Sequence, residues 1–183
     1  METQQNFHSG VFDIDVKNLR FKKTRDKLSE HQKNYIIFDE TGKPKIKLEK
    51  VFLPFGAEYY NKKQILNIEI YPNKNNTHNN LYSLLLALEQ EFSDKLVHNY
   101  ELKNDIAELK YYSFLKNNSN NVHIRTYMSP NPNIYTIIGK FKEPIMQSSI
   151  KGTYCNIEME LGTLWMNDTN FGVIWYVKDI QIV

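Results

Sequence analysis

The stretches of this sequence with chemical potential are those where aromatic and cationic residues adjoin. In Phe55-Gly56-Ala57-Glu58-Tyr59-Tyr60-Asn61-Lys62-Lys63, two tyrosines directly precede two lysines. Upstream, Lys43, Lys45 and Lys47 recur at every second position, which puts them on one face of an extended strand. Downstream, Arg125 and Tyr127 share a strand parity, and so do Lys140 and Lys142. A flat ring gives a nucleobase a stacking surface worth about 1 to 3 kcal/mol, and a nearby cation neutralises a phosphate. Each residue also has a plainer use. Tyr59 and Tyr60 can cap a core with the hydroxyl wet, Phe55 after Pro54 can plug one, Arg125 can cover a barrel edge with its stem, and Lys62-Lys63 can be a solvated turn.

Catalytic constellations are weaker. His8, His31, His78, His98 and His123 are dispersed, and none forms a close zinc-ligand spacing with Cys155. Asp13 with Asp15, and Glu158 with Glu160, are carboxylate pairs of the kind that holds Mg²⁺ for nuclease chemistry, but neither has a matching His or Lys motif. Gly-rich phosphate loops, nucleophile elbows and dinucleotide fingerprints are absent; "TGKPK" lacks the Walker spacing. The expectation is a protein that is not an enzyme and takes no cofactor or metal.

Composition agrees with a binding protein without specifying its ligand. The formal net charge is +2, from 23 Lys plus Arg against 21 Asp plus Glu, so any polyanion-binding surface must come from how charge is distributed. Residues 17–33 hold seven basic and two acidic residues, whereas residues 89–110 hold six acids and three lysines. The start, "METQQNFHSG", has no basic region followed by an apolar run, and no apolar stretch is long enough to span a bilayer. With a single cysteine, these features predict a soluble protein of a reducing compartment with no membrane partner. The N-x-S/T matches at Asn75, Asn117 and Asn167 then read as chance.

The elements that must position these residues are mostly strands of one domain, residues 1–183. "VFDIDVKNLRF" reads as a first strand. "NYIIFDE" and "KIKLEKVFL" read as a hairpin about the turn "TGKPK", with one wet, basic face. "ILNIEIYP" follows as a strand stopped by Pro72. Leu81, Leu84, Leu85, Leu88, Phe92 and Leu96 then recur at helical spacing, and Leu102, Ile106, Leu109 and Ser113 continue the period, so a helical insertion is expected over about residues 79–116. "NVHIRTYM", "NIYTIIGKF", "GTYCNIEMELGTLWM" and "FGVIWYVKDIQIV" return to strand character. In the last of these the apolar parity changes near Lys178-Asp179, which predicts a bulge, with Trp175 in the core and Tyr176 and Lys178 on the exposed face. A mainly β, strongly curved antiparallel sheet with helices inserted satisfies this order, and closing it into a small barrel removes the edges.

Phe52-Leu53-Pro54-Phe55-Gly56, and the terminal pair of segments from Leu164-Trp165-Met166-Asn167 to Phe171-Gly172-Val173-Ile174-Trp175-Tyr176-Val177-Lys178, resemble the OB-fold-like single-stranded DNA-binding proteins of large cytoplasmic DNA viruses and related elements. The resemblance runs in outline over most of the chain. It implies an OB-fold-like barrel that binds single-stranded DNA in replication, recombination or repair, without cofactor, in a host's cytoplasm at sites of viral or cytoplasmic-element replication, with replication proteins as further partners. In "LPFG", Pro54 restrains the chain and Gly56 supplies close approach or a positive φ; Gly172 has a similar role beside Trp175. The sequence departs from longer members of that group in having no extended acidic tail.

The residue pattern and the resemblance together give an expected interface. Tyr59, Tyr60 and Tyr127 would stack on bases. Lys45, Lys47, Lys62, Lys63, Arg125 and Lys140 would meet phosphates, and Phe55, Trp165, Tyr176 and Lys178 complete the set. Nothing in these residues separates DNA from RNA. The alternative is a structural or protein-interaction module of a replication or transcription complex, and a metal-dependent nuclease using the acidic pairs ranks third.

Overall fold

The computed structural model describes residues 14–24 and 31–183. Phe12, Asp13 and His8 lie outside these residues, as does the middle of the basic segment 17–33. Among the described residues there are eleven strands: β1 (Arg20–Lys23), β2 (Lys33–Phe38), β3 (Lys45–Leu53), β4 (Ala57–Tyr60), β5 (Lys63–Ile70), β6 (Lys110–Tyr111), β7 (Leu115–Asn117), β8 (Val122–Ile138), β9 (Phe141–Pro144), β10 (Thr153–Met166) and β11 (Asn170–Ile182). Two helices, α1 (Asn76–Leu96) and the single turn α2 (Lys103–Ile106), separate β5 from β6.

Five of the strands close on themselves. β3 pairs β5, β5 pairs β8, β8 pairs β11, β11 pairs β10, and β10 returns to β3. Only the β8–β11 seam is parallel. In chain order the ring reads first, second, third, fifth, fourth, a five-stranded barrel of OB-fold-like topology. Its interior is apolar because alternate residues of each strand point inward: Ile46, Leu48, Leu66, Ile68, Ile124, Met159, Leu161, Trp175 and Val177 are all buried. Trp175 occupies the core as expected, at 0% exposure.

The expected hairpin between "NYIIFDE" and "KIKLEKVFL" does not form. Both segments are strands, but β10 lies between them and pairs with each. The turn closes only an isolated Asp39–Gly42 bridge. β10 is long enough, at 14 residues, to serve β3 with one half and β2 with the other, and a local hairpin reading cannot anticipate this. β3 also bulges: Val51 faces Cys155 while Leu48 faces Ile157, and Lys50 takes φ 51° with its N–H on Asn156 Oδ1 at 3.0 Å. The apolar parity accordingly moves from Ile46 and Leu48 to Val51 and Leu53. The bulge predicted near Lys178 is present, since β11 skips that residue in pairing with β10.

The helical insertion is shorter than the sequence period implied. α1 is capped by Asn75, whose side chain accepts from the N–H groups of Thr77 and His78, and it buries Leu85, Leu88, Phe92 and Leu96. Leu102 and Ile106 are buried, but the helix ends there. From Lys110 the chain extends along β11, with Lys110 N–H on Thr169 O at 3.0 Å and Tyr112 N–H on Phe171 O at 2.7 Å. Sheet pairing with β11 satisfies these donors, and the aromatic Tyr111-Tyr112 suits a strand. The expected first strand is also displaced. Val16–Asn18 forms a 3₁₀ turn capped by Asp15, and only Arg20–Lys23 pairs with β2.

Candidate nucleic-acid interface

The outer face of β5 and β8 is set by register. Lys63 opens β5, and Ile65 faces Tyr127 while Asn67 faces Arg125. β8 turns Ile124, Thr126 and Met128 inward, so His123, Arg125 and Tyr127 point out. β4 folds back on β5 as a hairpin whose two-residue turn, Asn61-Lys62, has φ 47° and 63°. Positive φ at both positions is the type I′ geometry, which favours glycine second; a lysine there carries a backbone cost of order 1 kcal/mol. Gly56, at φ 68°, begins this hairpin where a Cβ would lie 3.1 Å from Lys151 Cβ, so both roles foreseen for it hold.

These elements enclose a trough of about 470 Å³. It is lined by Tyr60 and Lys63 of the β4–β5 hairpin, Arg125 and Tyr127 of β8, Trp165 of β10, and Tyr112 just after β6. Rings and cations alternate across it, with Lys116 beside it against the lining Tyr112. Arg125 Cζ lies 5.3 Å from the Tyr60 ring centre, Lys63 Nζ 5.5 Å from that of Tyr127, and Lys116 Nζ 3.8 Å from that of Tyr112. Among the described residues none of these three cations is in an ion pair. Burial pushes the Tyr127 hydroxyl up, the Tyr176 and Tyr60 neighbours add to this, and Arg125 opposes it; the ring stays neutral at physiological pH.

Behind these rings the packing is tight. Tyr176 lies 6.3 Å from Tyr127, ring to ring, and covers Gly162 so closely that a Cβ there would meet its ring at 2.5 Å. Trp165 and Tyr112 meet edge to face at 5.8 Å. Gly172 makes this contact possible, since a Cβ would fall 2.9 Å from Tyr112 O and 3.0 Å from the Trp165 ring. Its close-approach role is as expected, but the partner is Trp165 and not Trp175. Beyond Arg125, Phe55 is 47% exposed and packs edge-on against His123 at 5.8 Å. His123 Nε2 lies 2.9 Å from Glu69 Oε2. Burial would raise the Glu69 carboxyl, but hydrogen bonds from Tyr71, His123 and Asn121 outweigh it and hold the group below its ordinary value.

Of the residues expected from sequence, Tyr60, Lys63, Arg125, Tyr127 and Trp165 converge on the trough, with Tyr176 behind them and Lys62 exposed on the hairpin turn at its rim. The others stand apart. Tyr59 is 77% exposed and does not line the trough, on the opposite parity of β4 from Tyr60. Lys45 and Lys47 pair with Glu158 at 3.3 and 3.7 Å, and Lys43 pairs with Glu160 at 3.4 Å. The inserted β10 therefore neutralises the face that the hairpin reading left basic, and the same contacts occupy Glu158 and Glu160. Lys140 sits in the turn at the far end of β8, and Lys178 at the β11 bulge, half-buried. Tyr112, Lys116 and Gln32 were not anticipated. Tyr111-Tyr112 with Lys116 repeats the aromatic-then-basic mixture of residues 59–63, but lay inside the apparent helical period.

No family model matches the sequence, and no curated protein matches it. Among solved structures the chain is similar to gp2.5, a single-stranded DNA binding protein encoded by bacteriophage T7, with a TM-score of 0.50 at 12% identity, over 78% of this chain and 87% of the phage protein. At that identity the likeness is one of fold, and it agrees with the five-stranded OB-fold-like ring described above.

Proposed function

We propose that the protein binds single-stranded DNA, largely without regard to sequence and without catalysis, by laying the strand through the trough over β5 and β8. The observation that carries this reading is the convergence of Tyr60, Tyr112, Tyr127 and Trp165 with Lys63 and Arg125, and with Lys116 against the Tyr112 ring, none of which is in an ion pair among the described residues. Oligonucleotides bind OB folds across the second and third barrel strands, between the loops joining strands one to two and four to five. Here those strands are β5 and β8, and the loops hold Tyr60 and the 167–169 turn beside Trp165. Likeness of fold to a single-stranded DNA binding protein supports the same assignment. Service in replication, recombination or repair, with replication proteins as partners in the cytoplasm of a virus-infected host, is the finer part of the proposal. It is supported by the Phe52–Gly56 phrase and the terminal pair of strands.

Intrinsic fluorescence tests the binding. An oligonucleotide of about 20 to 30 bases is expected to quench Trp165, with an affinity that falls as salt rises. Absence of quenching at low salt, or quenching with no salt slope, removes the assignment. Competition with the matching RNA oligonucleotide decides the sugar preference.

A further inference from the structure

A second concavity shares the chemistry of the trough. It measures about 620 Å³, and Tyr71, Tyr154, His78, Lys50 and Lys74 line it, with Asn75 and Val183 completing the rim. Tyr154 is 51% exposed and rests against the Phe52 ring at 5.0 Å, which leaves ring surface open to solvent. Lys74 Nζ lies 5.7 Å from the Tyr71 ring centre. Lys50 and Lys74 are exposed, and among the described residues neither is in an ion pair. Lys50 also holds φ 51° at the β3 bulge, a backbone that glycine adopts at less cost, and strain of this kind is kept at ligand-facing positions. As in the trough, no acidic side chain among the described residues lines the concavity. By contrast Glu89 lines the hollow between α1 and β6, and Glu158 and Asp179 line the one beside Tyr135. Unpaired cations and open rings without carboxylates suit a ligand that is anionic and carries flat groups, as a nucleic-acid strand does.

Register joins this site to the trough. Tyr154 faces Phe52, Phe52 faces Glu69, Glu69 faces His123, and His123 faces Lys116, across β10, β3, β5, β8 and β7. Residues directly opposite each other share a face of the sheet, so this row crosses the outer surface from Tyr154 to Lys116, whose ammonium lies on the Tyr112 ring of the trough. Phe55 adds an exposed ring beside His123. Glu69 is the one acid in the row. It is buried, accepts from the Tyr71 hydroxyl and lies 2.9 Å from His123 Nε2, so little of its charge reaches the surface. We infer that the second concavity holds a further stretch of the same DNA strand, with a base on Tyr154 and phosphates at Lys50 and Lys74. The protein then grips the strand at two places joined across Phe55 and His123, an inference that rests on the proposed DNA binding.

Trp165 quenching by thymidine oligonucleotides of two lengths tests this on the full chain: about 5 nucleotides to fill the trough, and about 15 to span both sites. Tyr154→Ala is expected to weaken the longer one about fivefold or more and to leave the shorter within about twofold of wild type, while Tyr154→Phe, which keeps the ring, matches wild type on both. Lys50→Gly/Lys74→Ala should flatten the salt slope of the longer one by about 1.4, at about 0.7 per phosphate contact. Its thermal transition should not fall, since glycine suits the Lys50 backbone. A 5-iodouracil base at one end of the longer strand is expected to photo-cross-link wild-type Tyr154, a measurement that does not depend on how the variants fold. Unchanged affinity of Tyr154→Ala for the longer strand, with no cross-link to Tyr154 from either end, overturns the inference and leaves the trough assignment standing. Equal losses on both lengths overturn it too, since Tyr154 would then act through the trough. If neither length binds wild type, the proposed function itself falls and the second site falls with it.

Discussion

Trp165 and Trp175 sit 10 residues apart in sequence, but one faces the trough and the other has 0% exposure in the barrel core, with an indole N–H that finds no acceptor among the described residues. Trp175→Phe removes that unsatisfied donor while leaving a small void, two opposing effects that keep the stability change within about 1 kcal/mol. The variant leaves Trp165 as the sole indole, so oligonucleotide quenching should survive it undiminished in a fluorescence titration. Gly172→Ala acts at the same place with the opposite result. The new methyl must displace Trp165 or the Tyr112 backbone, and binding is expected to weaken several-fold while the emission maximum shifts. Among cations, Arg125→Ala should weaken binding to all sequences alike and flatten the salt dependence by about one unit of slope, whereas Lys45→Ala, whose partner is Glu158, should change neither.

Elements hold these residues through a few buried polar anchors. Glu89 of α1 accepts the Phe114 N–H at 2.9 Å and lies 2.8 Å from Ser113 Oγ, fixing the segment that carries Tyr112. Burial raises the Glu89 carboxyl above its ordinary value, against the opposing hydrogen bonds of Ser113, Phe114, Leu115 and Tyr111. The other end of α1 is held by His78, whose Nδ1 accepts from Tyr71 N–H at 3.1 Å and whose Nε2 donates to Lys50 O at 3.2 Å. Both ring nitrogens are thus used by the neutral form, and burial lowers the imidazole, an effect that its bond to Lys50 only partly offsets. A histidine lowered in the folded state favours folding above its ordinary value, about 6.5, and that contribution is lost as pH falls through the lowered one. Hydrogen exchange should therefore report opening of the first turn of α1 between pH 7.5 and 5, before the carboxylates titrate. Asp105, held down chiefly by its hydrogen bonds from Lys33 and Tyr35, loosens α2 only at more acid pH, below the ordinary carboxylate range. At the β4–β5 turn, Lys62→Gly relieves a positive φ and should raise stability by about 0.5 to 1 kcal/mol in denaturant unfolding.

Across the whole molecule a formal charge of +2 gives little general attraction for a polyanion, so binding depends on the local set Lys63, Lys116 and Arg125, with Lys62 at the rim. Three to four phosphate contacts on a single strand predict a slope of log affinity on log salt of about −2 to −3, measurable by titration between roughly 50 and 200 mM salt. A slope steeper than about −5 would require cations outside the trough. The barrel makes this local set possible. β8 pairs with β5 on one side and with β11 on the other, so side chains from the β4–β5 hairpin, β8, β10 and the 112–116 segment face one another over a single surface.

Strand period and helix period needed only local sequence, because inward and outward residues alternate wherever one face is buried. That is why β3, β5, β8, β10, β11 and α1 were legible, with Trp175 assigned inward and the Lys178 bulge foreseen from a change of parity. The aromatic-basic mixture around residues 59–63 and 125–127 was legible for the same reason, since adjacency and parity are properties of the chain. Partnership between distant strands was not. Which strand lies beside β3 depends on burial of both faces and on the length of β10, and its insertion placed Glu158 and Glu160 against Lys43, Lys45 and Lys47, cancelling a face that looked basic. Where leucines at helical spacing gave way to Tyr111 and Tyr112, backbone carbonyls of Thr169 and Phe171 that accept from Lys110 and Tyr112 outweighed the period and turned a predicted helix into part of the trough's lining. Local alternation is written in the sequence; the electrostatics of a surface depend on which neighbours tertiary pairing brings within about 4 Å, and only the closed barrel decided that.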